Sequence, residues 1–137
     1  RLITEEQAEA LASVNFRSLS GNFPRVHFAW DQFGKGTEKL IDRGIQRCVD
    51  AGLRPYQMAF YVLIGFNTTQ EQDHYRVTKL RDLGCDPYAM PYNKYDPYQR
   101  DFSRWVNQKA IFNSVRWSEY VVSKKKSEPD PDQMKLL

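Results

Sequence analysis

The alternation of apolar and polar positions divides the chain into helical and extended segments of regular length. Residues 3–14 (ITEEQAEALASV) place Thr4 at an N-cap position, Gln7 three residues later and acids in the first turn, which predicts a helix. A polar, glycine-containing link then leads to residues 25–31 (RVHFAWD), mostly apolar and bounded by Pro24 and Gly34, the pattern of a buried strand. Alternation puts His27 on the same side of that strand as Ala29 and Asp31. Leu40, Ile41, Gly44, Ile45 and Cys48 recur at helical spacing opposite Lys39, Asp42, Arg43, Gln46 and Arg47, and Gly52 closes this amphipathic helix. The unbroken run 58–64 (MAFYVLI) ends at Gly65 and predicts a strand covered on both faces. Residues 68–71 (TTQE) read as a capping box for a helix that carries Val77, Leu80 and Leu83 and stops at Gly84. Asp86 and Pro87 lead into a short strand over 88–92, where Pro91 removes a ladder donor and marks a strand end or sheet edge. Phe102, Trp105, Val106, Ile111, Phe112, Val115 and Tyr120 then define a long helical stretch, with a break expected near Asn107.

The order is α-β-α-β-α-β-α, with strands repeating at about thirty residues, the length of one βα unit. Apolar strands alternating with helices predict an α/β fold with a parallel β-sheet and right-handed crossovers. With 137 residues the chain is too short for an eight-unit barrel of roughly 250, and half of a TIM-like (βα) barrel is the expected architecture. Residues 1–122 form the expected domain, and 123–137, charged and carrying Pro129 and Pro131, a flexible charged tail. A half barrel also exposes sheet edges, through which self-association is expected. The chain enters a helical pattern at Arg1 without an initiator Met or a secretory leader, as an excised segment would.

Composition narrows the possible functions. No apolar run approaches the roughly 18 residues needed to span a bilayer, so no membrane partner is expected. The net charge is only +3, and although 94–126 hold eight Lys or Arg against three Asp or Glu, this falls short of a dedicated nucleic-acid surface. Cys48 and Cys85 are far apart and without partners at metal-ligand spacing; reduced, buried thiols in a cytoplasmic protein are expected. No Ser-His-Asp set, HExxH or P-loop spacing is present. His27 is expected to be a packed strand histidine, and His74 to face solvent.

In parallel α/β folds ligands collect beyond the carboxyl ends of the strands. Asp31 ends the first strand, where a carboxylate can accept hydrogen bonds from vicinal hydroxyls such as those of a ribose, or can simply start a turn; both readings stay open. Gly65 permits positive φ or close approach of a ligand, with Asn67 and Thr68 at the following helix N-terminus, though a plain strand-to-helix turn accounts for the same residues. Tyr88, Tyr92, Tyr95 and Tyr98, interleaved with Lys94, Arg100 and Arg104, could stack a planar ligand or line a nucleic-acid path, or be core beside a solvated helix face.

Over residues 2–120 these segments, in their order and spacing, resemble the second half of the radical S-adenosylmethionine (radical SAM) domain, from the third helix through the sixth unit of its partial (βα)6 barrel. Residues 26–31 and the sequence Gly44 to Leu53 (GIQRCVDAGL) look like the fourth strand and helix with the recurrent "aG(I/L)" ending. Residues 61–71 (YVLIGFNTTQE) are similar to the fifth strand and its "iGf.tT.eE" continuation, and Leu80 to Gly84 to the following helix end. The resemblance implies that Asp31 contacts the ribose or methionyl part of S-adenosylmethionine, that Ile64 and Gly65 lie beside its adenine, and that Met90 or Tyr92 borders adenine and substrate. The family's CxxxCxxC loop and its glycine-rich methionyl-binding segment do not occur here and are expected upstream of Arg1.

The expectation is therefore a fragment of a radical SAM iron-sulfur oxidoreductase that completes the adenosine and substrate side of the pocket. The 4Fe-4S cluster loop would lie in the missing N-terminal half, the fragment's expected partner. Alone it is expected to hold neither cofactor and to be inactive, since Cys48 and Cys85 cannot supply three cluster thiolates. A non-catalytic nucleotide- or nucleic-acid-binding module on a half barrel is the alternative, and a phosphate-binding barrel enzyme a further one, although no glycine-rich phosphate cradle is present.

Overall fold

The structure, a computed structural model, describes residues 4–13 and 25–127. Its elements in chain order are α1 (Glu5–Ser13), β1 (Val26–Ala29), α2 (Lys35–Asp50), a 3-10 turn (Pro55–Gln57), β2 (Met58–Ile64), α3 (Gln70–Asp82), β3 (Asp86–Pro91), α4 (Pro97–Asn107), α5 (Lys109–Ser114) and α6 (Trp117–Ser127). The alternating order expected from the sequence is present, and the last helical stretch is broken twice, at Gln108 and at 115–116. Helix α6 continues through the first five residues of the segment expected to be a tail, and Lys124 reaches Asp101 at 2.5 Å. The rest of that segment, 128–137, lies outside the described residues.

Local chemistry accounts for the helix boundaries. Thr4 accepts from the Gln7 amide and Gln7 Oε1 from the Thr4 amide, each at 3.1 Å, as the sequence predicts. For α3 the reciprocal cap is one residue later than predicted: Thr69 pairs with Gln72, at 3.2 and 3.0 Å, because the Thr68 hydroxyl is drawn to Asp73 at 2.6 Å. Helices α2 and α3 end identically. Gly52 and Gly84 adopt φ of 106° and 84°, and the next amide, of Leu53 or Cys85, reaches back to Cys48 or Leu80 at 2.9 Å, a Schellman closure.

The three strands form an open parallel sheet in the order β1-β2-β3, with Val26 opposite Met58 and Ile64 opposite Pro91. Val26, Met58, Phe60, Val62, Ile64, Pro87 and Ala89 are buried, joining Ile45 and Cys48 of α2, Val77 and Leu80 of α3 and Phe102, Trp105 and Val106 of α4. The opposite face is open among the described residues: Tyr61, Tyr88 and Met90 are exposed there, and the His27, Tyr61 and Tyr88 rings form a row with centroids 5.4 and 5.8 Å apart. This corrects the expectation that β2 is covered on both faces. An unbroken apolar run cannot distinguish a face that meets helices from one that only meets its neighbours' rings. Leu83 and Leu40, read as stripe positions, are likewise exposed.

The outer edge of β3 is closed to further pairing. Residues 87, 89 and 91 direct their backbone groups away from β2; Pro87 and Pro91 have no N–H to offer. The Ala89 N–H donates to Asn107 Oδ1 at 2.8 Å, its C=O accepts from Asn107 Nδ2 at 3.1 Å, and Lys109 binds the Pro87 carbonyl. Of the two exposed edges expected from the sequence, the one on β3 is thus blocked by side chains from α4 and α5.

Candidate functional site

The carboxyl ends of the strands lie at one rim, where the parallel register gathers the residues singled out in the sequence. Asp31 follows β1 and is exposed, next to Trp30, whose amide donates to the Tyr61 carbonyl at 2.8 Å. Met90 faces the open side and is 44 % exposed. Tyr92, just past β3, donates its amide to the Ile64 carbonyl at 3.1 Å and packs its exposed ring on Phe66, centroids 4.7 Å apart. Ile64 differs from these: its side chain is fully buried on the helix-covered face, so only its backbone is available to a ligand at the rim.

Gly65 adopts φ of 77°, and a Cβ there would lie 2.2 Å from the Gln99 side chain. The space above this glycine is therefore filled from within by Gln99, whose Oε1 accepts from the Asn93 amide at 2.7 Å. Of the two readings of Gly65, the strand-to-helix turn accounts for the residue without a ligand. Asn67, with φ of 53°, completes the turn.

Behind the rim is a buried ion pair that the sequence reading missed. Arg76, wholly buried, donates to Asp73 Oδ1 at 2.8 Å, to the Trp30 carbonyl at 2.7 Å and to the Leu63 carbonyl at 2.7 Å. Asp73, 1 % exposed, accepts from Thr68 at 2.6 Å and from the Gly65 amide at 3.2 Å. Burial beside the Asp73 carboxylate pushes the Tyr98 phenol well above its ordinary range. The available signal was periodicity: Asp73, Arg76, Val77 and Leu80 share one helical stripe, and two charges on a buried stripe require partners.

The remaining candidates lie elsewhere. His74 does not face solvent as expected but is half-buried, stacked on Trp105 with centroids 5.5 Å apart, and burial lowers its pKa. His27 is exposed and stacked on Tyr61 rather than packed in the core. Among Tyr88, Tyr92, Tyr95 and Tyr98, the first belongs to the open sheet face, Tyr92 and Tyr95 to the rim, and Tyr98 packs with Phe102 and Trp117; Arg100 is paired with Asp101. Cys48 and Cys85 are buried free thiols, Cys85 pushed up to about 12 by burial. A cavity of about 400 Å³ lies beside Asp31 between β1 and α2, walled by Phe28, Trp30, Leu40, Ile41 and Phe60. No helix among the described residues is long and apolar enough to cross a membrane. Comparison with protein-family models, with curated proteins and with solved structures gives no match for this chain.

Proposed function

We propose that this chain is the C-terminal half of a radical SAM domain and supplies the adenosine and substrate side of its S-adenosylmethionine pocket. The observation that carries this reading is the arrangement of the rim. Three parallel strands in sequential order, covered by helices on one face and open on the other, bring Asp31, Gly65, Met90 and Tyr92 to one edge. A sequential order with same-side crossovers is what a barrel wall requires, with the open face turned to the lumen.

The chain's donors fit the two implied groups unequally. Asp31, exposed at a strand end, suits vicinal hydroxyls, and Met90 and Tyr92 offer soft and aromatic surface to a purine. A cluster does not fit: among the described residues no three His, Cys, Asp or Glu side chains gather to hold a metal, and both thiols are buried. The cluster therefore belongs in this reading to a segment outside the chain. When bound together, cofactor and cluster supply the reductive chemistry, and the residues here bind, orient and shield the adenosine.

The test is a calorimetric titration with S-adenosylmethionine of a protein that joins this chain to a cluster-bearing segment. Asp31→Ala should weaken binding by about 1–3 kcal/mol, the usual loss for a charged acceptor whose partner becomes buried. Asp42→Ala, on the outer face of α2 and paired with Lys79, should bind as wild type does. Equal affinities for all three, with unchanged thermal unfolding, would make Asp31 a turn residue.

A further inference from the structure

We propose that Asp73 and Arg76 are positioning residues for the rim, holding the ends of β1 and β2 apart in the one geometry that presents Asp31 and the backbone from Ile64 to Gly65 to a ligand. The inference rests on the functional reading above for the identity of that ligand, though not for the ordering of the rim.

Core stability does not account for the pair. Removing two charges from water costs several kcal/mol per ion, and apolar residues of equal volume often serve as well. What an apolar pair cannot do is hold backbone atoms, and this pair holds four polar partners around the rim. The last ladder bond between β1 and β2 runs from the Trp30 amide to the Tyr61 carbonyl. In a continuing parallel ladder the Leu63 amide would next donate to the Trp30 carbonyl, and an amide from two residues further along β1 would then donate to the Leu63 carbonyl. Arg76 takes both acceptors, binding the Leu63 carbonyl with one Nη and the Trp30 carbonyl with the other. The strands part there, with a guanidinium between them.

The consequence falls on the candidate residues through their peptide planes. The Trp30 carbonyl is coplanar with the Asp31 amide, the Leu63 carbonyl with the Ile64 amide, and the Gly65 amide, held by Asp73, with the Ile64 carbonyl. Three peptide units flanking Asp31, Ile64 and Gly65 are thus fixed by two side chains one helical turn apart. A planar fork is needed to reach two carbonyls and a carboxylate at once; an ammonium on a flexible stem has no such fixed spread. Arg76 also lies within electrostatic reach of the Asp31 carboxylate.

Two variants separate positioning from packing. Asp73→Leu combined with Arg76→Met removes both charges together and leaves no unpaired buried ion, while Arg76→Lys keeps the charge and loses the fork. For each, thermal unfolding and amide exchange at Gly65 are measured in this chain, and S-adenosylmethionine affinity in the protein that also carries the cluster-bearing segment. Both variants should fold, exchange Gly65 faster and bind the cofactor more weakly, each by at least about tenfold, equivalent to about 1.4 kcal/mol. Folded variants with wild-type exchange and wild-type affinity would overturn the proposal. Should the double variant fail to fold, Arg76→Lys decides alone, since wild-type values there would show that charge and bulk suffice. If the wild-type protein itself binds no S-adenosylmethionine, the functional reading fails, and Gly65 exchange still decides whether the pair orders the rim.

Discussion

At the scale of single residues, glycines that look alike in the sequence have unlike roles. At Gly65 a side chain would meet both a left-handed backbone and the Gln99 amide, and moving Gln99 breaks its bond to Asn93. Gly65→Ala should therefore cost about 2–3 kcal/mol in urea unfolding, the sum of left-handed strain and one lost hydrogen bond. Gly36→Ala meets nothing within 4 Å at an ordinary helical position and should instead stabilise by about 0.4–1 kcal/mol. His74 makes a different kind of prediction. Burial, and after it the charge of Arg81, holds its imidazole below the ordinary 6.5, so the native state takes up this proton less readily than the unfolded chain. The stability linked to neutral His74 is present above the unfolded value and is lost as pH falls through it toward the folded one. The melting temperature should fall between about pH 7 and about pH 5, the span of histidine titration, and fall less in His74→Phe, which keeps a ring against Trp105. Equal falls in the two proteins would exclude His74 as the source.

Among the elements, β3 is distinguished by how it ends the sheet. Its outward row consists of two prolines and Ala89, and Asn107 satisfies both backbone groups of Ala89. Asn107→Ala leaves those groups to solvent and reopens the edge; the expected loss is about 1–3 kcal/mol in urea unfolding, together with concentration-dependent association in sedimentation. An unchanged midpoint and a monomer at all concentrations would mean that the prolines alone close the edge. Pro91 was legible in the sequence as an edge marker. That Asn107 completes the edge was not, because the bond joins residues eighteen apart across two elements and leaves no periodic trace.

Taken as a whole, the described residues form one finished face and one open one, and the chemistry of the separate chain follows from its donors. Reconstituted anaerobically with iron and sulfide, it should stay colourless, since Cys48 and Cys85 are buried thiols held high by burial and no third ligand joins them among the described residues. Iron-sulfur absorbance that survives joint replacement of Cys48 and Cys85 by alanine would contradict this account. The sequence by itself determined the succession of helices and strands, the two Schellman ends at Gly52 and Gly84, the cap at Thr4 and the strand ends that carry Asp31, Gly65, Met90 and Tyr92. Each of these depends on contacts within a few residues, where periodicity and capping chemistry act. Tertiary structure alone decided which sheet face stays open, that Ile64 turns its side chain away from the rim, and that Arg76 reaches back 46 residues to the end of β1. A buried guanidinium finds its acceptors only after the strands have been brought together, and no local pattern records where those acceptors will be.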